Sequence, residues 1–262
     1  MQEASQTIGL PVVPAVKRVP EEWPAGPFLP VLIDSEIHVW RVDLDNDWPV
    51  NLDQALADTD RTQAARFRFA VDRERFLAAR ASLRTILGRY LEFAPDALQF
   101  DLGAHGKPSL AKAQNSFDLR FNLTHSHGLA LIAITMGREI GVDVELMRAD
   151  FAGDEIAERF FSQAEITQLK SVTPESRLAA FFNCWTRKEA YIKARGEGLS
   201  FPLDQFDVSL VPDSRAALLG NRLDPAETSR WILKEISPAP NYAAAIAFEK
   251  GCERVRLWSF DP

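Results

Sequence analysis

Residues Ile37-His38-Val39-Trp40-Arg41-Val42-Asp43-Leu44 interleave apolar and polar side chains, which predicts a half-buried strand where the regular part of the chain begins. Between Asp60 and Leu91 the spacing turns helical. Phe76, Leu83, Leu87 and Tyr90 fall on one side with arginines around them, predicting one long amphipathic helix. Short strands follow at 119–124, 129–135 and 140–146, divided by His125-Ser126-His127-Gly128 and Gly137-Arg138-Glu139, and connections this short imply antiparallel neighbours. Helical spacing returns at 155–161, 163–169 and 177–194, where Gly196 supplies the stop. Strand patterns close the chain at 205–211, 231–236, 243–248 and 255–260. The segregation predicts an α+β fold, not a βαβ series, with a long helix and several strands in each half. Residues 1–34 carry six prolines and no sustained period, and read as an N-terminal extension, a tail or a strap. Residues 35–139 and 140–262 are the two halves.

Composition narrows the partners. A chain of 262 residues with 46% apolar content has ample material for a core. Its 30 Lys and Arg against 37 Asp and Glu leave a net charge of −7, so nucleic-acid backbones and anionic membranes are repelled and any anionic ligand must be held locally. No apolar run approaches the roughly 18 residues of a membrane span. The start Met1-Gln2-Glu3-Ala4-Ser5 lacks the features of a secretory signal, so a cytoplasmic location is expected. Cys184 and Cys252 are too few for a disulfide framework, and with four histidines they make a four-ligand zinc site a poor fit. Oxygen ligands suit any metal better.

The chemistry concentrates in three places. In Ile140-Gly141-Val142-Asp143-Val144-Glu145-Leu146 the strand period puts residues 140, 142, 144 and 146 on one face and both carboxylates on the other. Positions two apart in a strand lie roughly 7 Å from each other, close enough for both carboxylates to share one hard cation. A solvated acidic face is the alternative. In the segment 177–194, Leu178, Phe181, Phe182, Trp185 and Ile192 form an apolar stripe with Glu189 near its centre, so Glu189 needs a partner, a proton or a metal. Lys193, one turn on, is the candidate partner. Together Asp143, Glu145 and Glu189 offer three carboxylates to one Mg²⁺ with positions left for water and phosphates.

Cations for such phosphates are at hand: arginines 61, 66, 68, 73, 75, 80, 84 and 89, about half expected on a solvated face, and Lys107 in a loop without P-loop spacing. The third place, Asn122-Leu123-Thr124-His125-Ser126-His127-Gly128, brings hydroxyls and imidazoles to a strand end, where they could grip a phosphate. A metal pair of His125 and His127 finds no third nitrogen or sulfur ligand at helpful spacing.

These segments resemble the paired signatures of 4′-phosphopantetheinyl transferases: Gly141-Val142-Asp143-Val144-Glu145 and, about 40 residues later, Trp185-Thr186-Arg187-Lys188-Glu189-Ala190-Tyr191-Ile192-Lys193-Ala194-Arg195-Gly196-Glu197-Gly198-Leu199. The likeness extends to Gly106-Lys107-Pro108, to Phe121-Asn122-Leu123-Thr124-His125-Ser126 and to Arg159-Phe160-Phe161-Ser162-x-x-Glu165, covering residues 35–262. It looks like the larger, surfactin-type subgroup, in which two similar α+β halves in a pseudo-twofold arrangement, each a small, mostly antiparallel sheet packed with a long helix, flank the active site. The resemblance implies Mg²⁺-dependent transfer of the phosphopantetheine arm of coenzyme A to a serine of an apo carrier protein (acyl, polyketide or peptidyl), with release of 3′,5′-ADP by a cytoplasmic monomer. It also implies metal ligands at Asp143, Glu145 and Glu189, a pyrophosphate lysine at Lys193, contacts to the 3′-phosphate end at Thr124 and His125, and a basic residue near the nucleotide at Lys107. Arg75 is a further phosphate contact. Because Asp60 and Gln63 stand where the family can carry lysines, the 3′-phosphate clasp is expected to rely on Arg61 or on the turn. Glu189 is the expected base, with Glu165 the second candidate. Two rival readings use the same residues: a metal-dependent nucleotidyl or phosphoryl transferase, and a non-catalytic carrier-binding module, against which the intact acidic set and Lys193 argue.

Overall fold

Two mostly antiparallel sheets stack face to face, and each carries a 22-residue helix on its outer side. The computed structural model describes residues 21–46, 50–252 and 254–261. The chain runs through β1 (Glu36–Asp43), α1 (Asp58–Ala64), α2 (Ala70–Leu91), β2 (Phe100–Leu102), β3 (Pro108–Leu110), β4 (Leu119–Ser126), β5 (Leu129–Met136) and β6 (Ile140–Leu146). It continues through α3 (Asp154–Phe160), α4 (Gln163–Ser171), α5 (Pro174–Arg195), β7 (Phe206–Val208), β8 (Leu218–Asn221), α6 (Glu227–Arg230), β9 (Trp231–Ile236), β10 (Tyr242–Glu249) and β11 (Arg254–Ser259). The first sheet has the order β11-β1-β5-β4 and the second β6-β10-β9, while β2–β3 and β7–β8 are separate pairs.

Strand alternation builds the layers. Ile37, Val39, Leu129, Leu131 and Ala133 of the first sheet meet Ile140, Val142, Val144, Ala244 and Ile246 of the second in one buried cluster. Their chain neighbours Trp40, Val42, Ala130, Ile132 and Ile134 pack with Leu83, Ile86 and Leu87 of α2. On the far side Ala243, Ala245 and Ala247 pack with Ala190, Tyr191 and Ala194 of α5. Covered on both faces, β5 reads as a nearly unbroken apolar run, Leu129-Ala130-Leu131-Ile132-Ala133-Ile134. This is the α+β architecture expected from the pattern.

The predicted helix from Asp60 to Leu91 is instead two helices. Asp60 is buried, caps the backbone N–H of Ala57 at 3.2 Å, and accepts from Arg80 at 2.7 Å and Arg84 at 2.5 Å. In one continuous helix Asp60 and Arg84 would stand roughly 36 Å apart. Breaking the helix at residues 65–69 lets α1 fold back so that these charges meet. Neither glycine nor proline marks the break. The strand expected at 119–124 runs on to Ser126, leaving His127 and Gly128 as the turn, with His127 at φ +53°.

The last strand returns to the first half, where β11 lies parallel to β1, so the sheets do not divide at residue 140 as the chain order suggests. The described part of the N-terminal extension is a strap along this edge. Gly26 donates to the Ser259 carbonyl at 2.9 Å, Ser259 donates to the Pro24 carbonyl at 2.8 Å, and Glu21 donates to the Ser237 carbonyl at 3.1 Å. Residues 1–20 of that extension lie outside the described residues. Among the described residues no helix is long and apolar enough to cross a membrane.

Candidate active site

The carboxylates of β6 face α5 because the opposite face of the strand is committed to the inter-sheet core. The helix approaches unusually closely. A Cβ on Gly141 would fall 2.1 Å from the Ala190 carbonyl oxygen and 2.3 Å from the Ala194 amide nitrogen. That approach carries Asp143 to Lys193, whose ammonium donates to Asp143 Oδ1 at 2.6 Å and to Thr124 Oγ at 3.2 Å. Thr124 donates in turn to Asp143 Oδ1 at 3.2 Å, and Ser126 donates to Glu145 Oε2 at 2.7 Å. Asp143, Glu145, Glu189 and Lys193 line one cavity of about 300 Å³ together with Thr124, His125, Phe160 and Trp185. His125 also borders a second cavity of about 300 Å³, lined by Phe67, Asp72, Arg75, Ser126 and His127.

Alternate side chains of β4 join the two sheets where no backbone ladder runs. Asn122 accepts from the Val142 N–H at 2.8 Å, Thr124 bonds Asp143, and Ser126 accepts from the Leu146 N–H at 3.2 Å while holding Glu145. The sequence reading took His125 and Ser126 for a turn and missed this role of Asn122 and Ser126. Its signal was the polar residue at every second position of an otherwise apolar strand.

All three acids sit in surroundings hostile to negative charge. Burial pushes the Asp143 carboxyl up, with Lys193 pulling it back, and burial and then Asp143 raise Glu145. Glu189 is pushed up to about 7, first by burial and then by the charge of Asp143. Lys193 would be pulled down by burial, but Asp143, Glu189 and Glu145 outweigh this and hold it above its ordinary value.

The donor set fits a hard divalent cation in chemistry, though the side chains do not stand as a ready cage. Among the described residues no group of three or more Asp, Glu, His or Cys is arranged to hold a metal; Lys193 donates to Asp143 and Ser126 to Glu145. Two observations favour a cation all the same. Asp143 Oδ2 is buried without a hydrogen-bond partner, and in the cavity that the three carboxylates share, Asp143 raises the proton affinity of Glu145 and both raise that of Glu189.

Several expected site residues are engaged elsewhere. Lys193 is paired with Asp143, not Glu189, because β6 presents its carboxylate directly to the ammonium. Glu165 is buried in the capping box of α4. It accepts from the Ser162 and Val208 N–H groups at 2.8 Å each, pairs with Lys188 at 2.8 Å, and is absent from the carboxylate cavity, so it has no proton to take there. Arg61 is exposed and bonded to Asp53, lining neither cavity. Lys107 turns inward, donating to Glu139 at 2.8 Å and to the carbonyls of Ala194 and Ile140, and pins the β2–β3 hairpin to the end of α5. It borders a cavity of about 610 Å³ that shares no residue with the carboxylate cavity. Of the arginines from 61 to 89, Arg80 and Arg84 serve the helix junction and Arg75 reaches the site.

Residues 139–247 match the 4′-phosphopantetheinyl transferase superfamily, and residues 40–136 match the 4′-phosphopantetheinyl transferase N-terminal family. The chain is 37% identical over 231 residues to 4′-phosphopantetheinyl transferase HetI of Nostoc sp., covering 87% of this chain and 94% of that protein. It is 31% identical to 4′-phosphopantetheinyl transferase Sfp of Bacillus subtilis, covering 79% and 88%, and 33% identical to 4′-phosphopantetheinyl transferase psf-1 of Bacillus pumilus, covering 72% and 77%. The chain therefore belongs to the 4′-phosphopantetheinyl transferase superfamily. Within it, the chain is an enzyme of the surfactin type.

Proposed function

We propose that this enzyme transfers the 4′-phosphopantetheine arm of coenzyme A to a serine of an apo acyl, polyketide or peptidyl carrier protein, using Mg²⁺ and releasing 3′,5′-ADP. The observation that carries the reading is the shared cavity, where carboxylates from β6 and α5 meet Lys193 beside the arginine- and imidazole-lined cavity across His125. Asp143, Glu145 and Glu189 would hold the ion. A divalent cation bound there would neutralise phosphate charge and act as a Lewis acid.

In the reaction the serine oxygen forms a bond to the β-phosphorus, the bond from that phosphorus to the bridging oxygen breaks, and 3′,5′-ADP leaves. Glu189 takes the serine proton, directly or through a water. Among the described residues no side chain bonds to it, whereas Asp143 is held by Lys193 and Thr124 and Glu145 by Ser126. Lys193, released from Asp143 as the ligand enters, stabilises the charge on the departing nucleotide. Thr124, His125 and Arg75 receive the 3′-phosphate end of coenzyme A. Glu165, Arg61 and Lys107 serve the fold.

Both parts of the site come from one chain, which supports action as a monomer. The buried free thiols Cys184 and Cys252 suit a reducing cytoplasm, and the net charge of −7 suits neither a nucleic acid nor an anionic membrane. Residues 35–139, joined by β11, and residues 140–249 act as halves of one catalytic unit. Incubation with a panel of apo carriers, read by mass spectrometry, tests the reading. A phosphopantetheine mass gained only with coenzyme A and Mg²⁺ supports it, and no gain on any carrier refutes it.

A further inference from the structure

Asp45 lies just beyond β1, outside the residues assigned so far, yet it holds Arg75, which lines the second cavity. Its carboxylate takes Arg75 in a two-pronged pair, Nε to Oδ1 at 2.7 Å and Nη2 to Oδ2 at 2.8 Å. The aspartate is itself held in place. Its backbone N–H donates to Asp43 Oδ1 at 3.1 Å, and the preceding Leu44 N–H donates to the Gly128 carbonyl at 2.7 Å. Gly128 is bare where Asp45 comes near: a Cβ there would sit 2.3 Å from Asp45 Oδ2. The Asp45 carboxylate thus holds Arg75 of α2, while the backbone of the same segment holds the β4–β5 turn.

Arg75 borders the second cavity with Asp72, Ser126, His125 and His127. One edge of its guanidinium is given to Asp45, and Nη1 is left without a hydrogen bond among the described residues. The three carboxylates and Lys193 suit the pyrophosphate in the adjoining cavity. The other anionic group of coenzyme A is a phosphomonoester, and the Arg75 cavity is the next basic place along His125.

We propose that Asp45 is a positioning residue, which fixes Arg75 so that its remaining edge meets the 3′-phosphate of coenzyme A and thereby sets the preference for coenzyme A over its 3′-dephospho form. This rests on the transferase reading above. The pair also cancels charge, and an aspartate that did nothing else would weaken anion binding, so the sign of its effect separates the two roles.

The test compares wild type, Asp45→Asn, Arg75→Ala and the double variant, with KM and kcat measured for coenzyme A and for 3′-dephospho-coenzyme A at saturating apo carrier. Asp45→Asn and Arg75→Ala should each raise KM for coenzyme A about tenfold with kcat within about twofold, and the double variant should be no worse than Arg75→Ala, since Asp45 acts through Arg75. The rise should fall on coenzyme A and spare the dephospho form. An equal rise on both substrates, additive effects, or a lower KM in Asp45→Asn would each overturn the assignment. Calorimetric titration of both ligands into the same four chains, shown folded by thermal unfolding, keeps the two readings apart. A wild type that binds coenzyme A but modifies no carrier refutes the transferase reading, whereas an unchanged ligand preference in Asp45→Asn refutes the role of Asp45.

Discussion

Replacing Gly141 by alanine tests how the site is assembled. The added Cβ would lie 2.1 Å from the Ala190 carbonyl oxygen, 2.3 Å from the Ala194 nitrogen and 2.9 Å from the Ala194 Cα. All three are backbone atoms of α5, so no rotamer relieves the clash. Ordinary contact begins near 3.4 Å, and β6 and α5 must therefore separate by about 1.3 Å. Overpacking on that scale costs about 3 kcal/mol. For a chain of this size the melting temperature should drop by roughly 6–12 °C. The same shift draws Asp143 away from Lys193, which it now meets at 2.6 Å, and misplacement by about 1 Å can cost on the order of 100-fold in rate. Thermal unfolding and the initial rate of phosphopantetheine transfer to an apo carrier measure the two effects. An alanine variant with the wild-type melting temperature and rate would refute the claim that close approach of α5 builds the site.

Glu189→Gln should abolish transfer at saturating coenzyme A while leaving the melting temperature intact, and near-normal turnover would exclude both its metal and its base role. Glu165→Gln should do the reverse in stability, losing about 3–5 kcal/mol in denaturant unfolding because Lys188 is left as a buried unpaired cation; unchanged stability would contradict this. Chelation with EDTA should stop transfer and added Mg²⁺ restore it, and persistent activity in EDTA would remove the ion from the mechanism. At Asp60, burial raises the carboxyl but Arg80 and Arg84 outweigh it, leaving a depressed value. The stability it contributes is therefore complete above the unfolded carboxylate value of about 4 and is lost as pH falls through the folded one. Asp60→Asn should flatten the decline in unfolding free energy between about pH 5 and pH 2, and an unaltered slope would count against the pairing.

The sequence was legible where a period reports a face. The alternation at 140–146 separates the core residues Ile140, Val142 and Val144 from Asp143 and Glu145, and the strand at Trp231–Ile236 is found to the residue. It was less legible where tertiary charge decides the geometry. Nothing local announces that Asp60 will draw Arg80 and Arg84 together and split the helix, because the pairing is made across a fold-back. Lys107 and Glu165 carry charges that look chemical, but three acceptors take up the first, and a capping box with Lys188 takes up the second. The short strands β2, β3 and β8, of three or four residues, are too brief for a period to show. On α5 the apolar stripe understates the burial, since Arg187 and Lys188 are also enclosed and find their partners on other segments.

The parallel neighbour of β1 arrives more than 200 residues after it, when Arg254 to Ser259 pairs with Glu36 to Arg41. During synthesis β1 must therefore keep one edge unmatched until residue 259 has left the ribosome. Deleting Arg254–Ser259 should strip that edge of β1 bare and endanger the first sheet more than the second.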